Sequence, residues 1–153
     1  MIEMISVYFF IAVLIILSVF DTRYGIIPNK IVYPAIIVTI ALVWLSPEAS
    51  LKTSLIGGAT LAAFLLVPVL LLRSMGLGDV KLAFLIGLMT GFPEGVVALY
   101  GGIALGGLCA IFLLVFRLKE RRDEMPYGPF LVVGAIVVLL AHQYSLFPSF
   151  LPV

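Results

Sequence analysis

Apolar residues run along this chain in six stretches separated by short polar breaks, at about 4–20, 30–45, 52–72, 80–92, 95–116 and 129–147. None alternates apolar and polar positions as a barrel strand does. Inside a bilayer the backbone has no water to bond, so only helices or closed barrels can cross it. The pattern therefore predicts an all-α membrane protein of about six transmembrane helices. The second and fourth runs are shorter than the roughly 20 residues a full span needs. They are expected to be tilted less, to pack among neighbours, or to border a thinned, water-accessible region, and a short fourth span beginning at Asp79 fits a wet cavity. Gly25 and Pro28 break the chain after the first run, Asn29 is placed to cap the second, and Pro129 falls in the first turn of the sixth, where its missing N–H costs nothing.

Composition removes the soluble alternative. The 153 residues are 63% hydrophobic and 11% charged, with a mean hydropathy of +1.29, whereas soluble domains carry about 45–50% apolar and about 25% charged residues. The bilayer is thus an expected partner. A net charge of +1 leaves no nucleic-acid footprint. The single cysteine, Cys109, permits no intrachain disulfide, and no Cys-x-x-Cys or Cys/His cluster is present, so neither metal nor cofactor is expected. The opening Met1-Ile2-Glu3-Met4 lacks a basic region and no small-x-small site precedes Asp21, so the first run is expected to be a retained span. The longest polar stretch, 117–127, is too short to fold alone, and residues 1–153 are expected to form one polytopic domain. The pairs Gly57-Gly58, Gly101-Gly102 and Gly106-Gly107 lie within spans, where they let helices approach closely.

Charge orients the bundle. With six spans, the breaks after the first, third and fifth fall on one side and hold Arg23, Lys30, Arg73, Lys81, Arg117, Lys119, Arg121 and Arg122. Lys52, the ninth basic residue, lies opposite. The positive-inside rule puts the first set in the cytoplasm and both termini outside. Asp21 and Asp79 then share the cytoplasmic boundary.

Those two aspartates carry the candidate chemistry. A carboxylate at the edge of a membrane span is costly and marks a functional site by default, and here each has a plausible partner in the other. Two close carboxyls sharing one proton can hydrolyse an amide without a metal: the ionised one takes a proton from water while the protonated one polarises the carbonyl oxygen. Asp79 closes Gly76-Leu77-Gly78-Asp79, whose glycines can adopt backbone conformations closed to other residues and let an extended peptide pass close by. Lys81 can bias the site electrostatically, or simply face water or lipid phosphate. Arg23 and Asn29 can steady the first carboxylate, though topology and capping explain them equally well.

At these residues the chain resembles the type IV prepilin peptidases and archaeal preflagellin peptidases, membrane aspartyl proteases of the Gly-x-Gly-Asp type. Three stretches match in order: Asp21-Thr22-Arg23-Tyr24-Gly25-Ile26-Ile27-Pro28-Asn29, in which an aspartate leaves the first helix; Met75-Gly76-Leu77-Gly78-Asp79-Val80-Lys81-Leu82; and Pro126-Tyr127-Gly128-Pro129-Phe130, similar to the Gly-Pro turn opening the family's final helix. The resemblance implies that Asp21 and Asp79 are catalytic, with Gly76, Gly78, Lys81, Asn29 and Pro28 shaping the site or binding substrate. It also implies a prepilin-like precursor as substrate, cut at the cytoplasmic membrane face between a short basic leader and the hydrophobic helix that follows. Glu120, Asp123 or Glu124 could meet that leader, or form a solvated loop face. Longer bacterial members add a domain with paired Cys-x-x-Cys motifs and methylate the new N terminus. None of those motifs is present here, so proteolysis without methyl transfer is expected, as in the compact enzymes that process Flp-type pilins, archaellins or archaeal pilins.

Simpler readings stand beside this one. A helix-terminal aspartate is often an N-cap. His142 reads as an interfacial residue, and Trp44 and Tyr100 as interface anchors or packing residues. The competing class is a small non-enzymatic transporter or assembly factor using the aspartates for a cation or protons, and another is a Gly-x-Gly-Asp protease of presenilin type. Oligomeric state is not legible.

Overall fold

Six helices account for the structure, a computed structural model that describes residues 2–46, 50–72, 76–116 and 127–143. They are α1 (Ile2–Tyr24), α2 (Asn29–Leu45), α3 (Leu51–Leu72), α4 (Leu77–Thr90), α5 (Glu94–Val115) and α6 (Gly128–Gln143). The chain is an all-α membrane protein, and α1, α3 and α5 are long and apolar enough to cross a bilayer. The expected acidic and basic residues of the 117–126 loop, Glu120, Asp123 and Glu124 among them, lie outside the described residues, as do Arg73, Met75 and Pro126.

The fourteen-residue α4 is short because it sits in the middle. Its neighbours are α2, α3, α5 and α6, and Leu82, Ala83, Leu85, Ile86, Gly87 and Leu88 are all buried. A helix sheathed by protein need not match the thickness of the lipid. Leu61 and Leu65 from α3, Leu14 and Leu17 from α1, and Leu131 and Ala135 from α6 complete the core around it. The outer surface is apolar too: Ile15 and Ile16 of α1, Leu70 and Leu71 of α3, and Ile111 and Phe112 of α5 are exposed, as lipid-facing side chains are. Trp44 is exposed at the end of α2, while Tyr100 packs edge-on against Phe64 with ring centroids 5.7 Å apart.

Two seams draw helices to backbone contact. A Cβ at Gly57 would stand 2.6 Å from the Gly87 carbonyl oxygen, and one at Gly102 would stand 2.8 Å from Leu131 Cα. Thus α3 meets α4, and α5 meets α6, at separations only glycine allows. Gly58 and Gly106 also face close neighbours, but Gly101 and Gly107 have open space around them, so of each of the later glycine pairs one member makes the approach.

Two boundaries differ from the sequence expectation. Helix α1 runs one turn further, to Tyr24, so Asp21 lies within its last turn instead of leaving it. Gly25 ends the helix in a left-handed conformation, φ 63°, with its N–H donated to the Asp21 carbonyl at 2.8 Å. Asn29 does not cap α2. Pro28 holds the N-cap position without a side-chain cap bond, and Asn29, the first helical residue, accepts a hydrogen bond from Lys81 Nζ instead, at 2.7 Å.

Candidate active site

The last turn of α1 and the first turns of α2, α4 and α6 lie together, and the candidate residues collect there. Asp21 sits in the last turn of α1 and is 6% exposed, the one ionisable side chain buried to that degree among the described residues. Asp79 is the third residue of α4, so it is not the N-cap; Gly76 is. The Asp79 N–H donates to the Gly76 carbonyl at 3.1 Å, and the Asp79 carboxyl is within range of the Asp21 charge.

Each carboxyl is held by a different part of the chain. Oδ2 of Asp21 accepts a hydrogen bond from the N–H of Gly128, the first residue of α6, at 3.1 Å. On the other side, the turn between α1 and α2 packs into the segment leading to Asp79. Ile27 is buried there, and a Cβ at Gly78 would stand 3.1 Å from the Ile27 Cβ. Gly78 is therefore small because Ile27 lies on it. Gly76 has φ −81° and ψ 152°, which any residue adopts, and a Cβ there would meet just the Gly78 nitrogen, at 3.7 Å. Left-handed glycines occur among the described residues at Gly25 and Gly91. The motif glycines thus serve close packing at 78 and leave open space at 76, a different use from the backbone freedom expected of them.

Lys81 reaches across to α2. Besides its bond to Asn29 Oδ1, its ammonium lies 5.3 Å from the centroid of the Tyr33 ring, within cation–π range. Lys81, Asn29 and Tyr33 therefore tie the first turns of α4 and α2 together. Pro28 begins that same turn of α2. Arg23 is exposed in the last turn of α1, where a cation complements the helix dipole.

Sequence gives Ile27 no role of its own, and it gives Gly128 only as part of the Gly-Pro turn opening the last helix, without a contact to Asp21. Neither carries a reactive group, and each acts through contact with a residue distant in the chain. The Gly128-Pro129 step that opens α6 is the sequence signal for this turn. Among the described residues no three of His, Cys, Asp and Glu converge. What the fold brings together is two carboxyls, and two carboxyls with one proton between them can act on water and an amide as general base and general acid.

The model of the type IV leader peptidase family matches residues 8–141, which include both aspartates and Gly128. A prepilin leader peptidase/N-methyltransferase from Bacillus subtilis (strain 168) is 28% identical over 139 residues, 90% of this chain and 56% of that protein. One from Pseudomonas putida is 29% identical over 133 residues, 83% of this chain and 46% of its own length. The chain thus spans about half the length of these relatives. No solved structure matches it.

Proposed function

The chain belongs to the type IV leader peptidase family, and from that premise we propose that it is a membrane aspartyl endopeptidase removing the short basic leader of prepilin-like precursors. The observation that supports this reading is the convergence of the elements bearing Asp21 and Asp79, 58 positions apart in the chain: the turn after Asp21 packs through Ile27 onto Gly78, and the Asp79 carboxyl feels the charge of Asp21. One carboxylate takes a proton from a water molecule held between them. The resulting hydroxide attacks the scissile carbonyl carbon while the protonated carboxyl hydrogen-bonds to, then protonates, the carbonyl oxygen. Collapse of the tetrahedral adduct breaks the C–N bond as the proton first taken from water passes to the leaving amine, and one adduct hydroxyl returns its proton to the second carboxyl as the new carboxylic acid forms. Acid–base assistance of this kind supplies about 10²–10⁴ in rate, and positioning supplies much of the rest.

In this reading residues 1–153 form one polytopic peptidase domain of six spans, with both termini outside and the carboxyl pair at the cytoplasmic face of the cell membrane. Charge supports the orientation: Arg23, Lys30 and Lys81 lie at the end of the bundle that holds the pair, and Lys52 lies at the other. A basic leader is kept on the cytoplasmic side by the same rule, which sets the scissile bond at the depth of the aspartates. Gly76, Gly78, Lys81, Asn29 and Pro28 form the surroundings of the site.

The test is cleavage of a prepilin-like peptide by reconstituted protein. Asp21→Asn and Asp79→Asn keep the shape of each side chain and remove its ionisation. Both variants should fold and lose cleavage. Near-normal cleavage by either one removes that residue from the chemistry.

A further inference from the structure

Asp21 is held from the far end of the chain by a residue with no side chain. The Gly128 N–H reaches Oδ2 at 3.1 Å across 107 positions of sequence, in a buried setting. A Cβ at 128 would run into that same oxygen and stand 2.9 Å from Cγ and 3.2 Å from Cβ of Asp21. The contact is therefore specified twice, by a donor that fixes one oxygen and by an absent methyl group that sets how near the carboxyl can come.

Local structure makes the Gly128 amide available. The first N–H groups of a helix have no intrahelical acceptor, and in α6 the Tyr127 carbonyl is taken by the N–H groups of Phe130 and Leu131. Pro129 brings no N–H at all. Gly128 thus offers a lone donor at the positive end of α6, pointed at a carboxylate.

We infer that Gly128 is a positioning residue for the reaction: it clamps Oδ2 of Asp21 and so leaves Oδ1 for the water and for Asp79. This rests on the reading of Asp21 as catalytic. The simpler alternative makes Asp21 a remote cap for α6. A cap has no reason to sit on the element that packs onto the Asp79 segment, where Ile27 lies on Gly78. A clamp for a two-carboxyl site has every reason to.

The experiment uses the full chain in detergent or liposomes with a prepilin-like peptide as probe, and compares Gly128→Ala with wild type in both kcat and KM. A displaced carboxyl should lower kcat by roughly 10–100-fold, since misplacement by about 1 Å costs on that scale, with KM within about twofold because uniform binding is untouched. Thermal unfolding is measured in parallel for Gly128→Ala in the wild-type and Asp21→Ala backgrounds. The loss of melting temperature should be present in the first and largely absent in the second, where the obstructing carboxyl is gone. If Gly128→Ala alone fails to fold, recovery of folding in the double variant supports the contact, and failure of both overturns it. A kcat within about threefold of wild type, or an equal melting loss in both backgrounds, also overturns the inference. The underlying reading fails separately: if Asp21→Asn cleaves normally, Asp21 is not catalytic, whatever the melting data say of its contact with Gly128.

Discussion

Ile27 rests directly on Gly78, so that a Cβ added at 78 would stand 3.1 Å from the Ile27 Cβ and 3.4 Å from its Cγ1. The turn leaving α1 and the segment entering α4 are in this way packed into one unit, and the two aspartates flank it.

Gly78→Ala should therefore shift Ile27 and disturb the spacing of the carboxyls. Overpacking of this size costs about 1–3 kcal/mol, read as a lower melting temperature with reduced cleavage, and Ile27→Val should recover part of both. Gly76→Ala is the control: its backbone angles suit any residue and its surroundings are open, so its stability should stay within about 0.5 kcal/mol of wild type. Equal damage from the two alanines would remove the packing explanation.

Paired glycines offer a second comparison, on α5. Gly102→Ala would press a methyl group against Leu131 Cα and the Phe130 carbonyl, both backbone atoms that cannot rotate away. A loss above about 3 kcal/mol, or failure to fold, is expected, beyond the usual range for a point change. Gly101→Ala, one position earlier, meets nothing within 4 Å and should be neutral or slightly stabilising, by up to about 1 kcal/mol, through helix propensity. Unfolding of the two variants in the same detergent decides the matter.

The tie between α4 and α2 can be measured by a double-mutant cycle. Lys81 bonds to Asn29 near the Tyr33 ring, in a setting open to solvent, where such contacts give about 0.2–1 kcal/mol. Asn29→Ala and Lys81→Met should each lower stability by that order. Their combination should cost less than the sum, and strict additivity would show that the bond contributes nothing.

Cleavage should follow a bell-shaped dependence of kcat/KM on pH. A pair that works with one proton fails in acid, when both carboxyls are protonated, and fails toward alkali, when both are ionised. The two apparent pKa values belong to the pair and not to either residue. A single sigmoidal rise across the range would argue for one working carboxylate.

Much of this was visible in the chain itself. Asp21 and Asp79 stand out because an acid at the edge of an apolar run has a cost that needs a reason; the brevity of the fourth run leaves a packed helix and a wet border both open, and α4 is packed among its neighbours. The rest depended on tertiary contact. Asn29 has the residue type of an N-cap, yet its amide is engaged by Lys81, 52 positions away. Gly78 looked like a residue chosen for backbone freedom and is instead a seat for Ile27. Gly128 has no functional group to notice, and its use appears once α6 is laid against α1.

The 107-residue reach between Asp21 and Gly128 also orders events during biosynthesis. When α1 leaves the ribosome and enters the bilayer, its aspartate has no amide to meet, and none arrives until α6 has been inserted beside it. A growing chain therefore carries both acids well before it carries the amide that holds Asp21 in place.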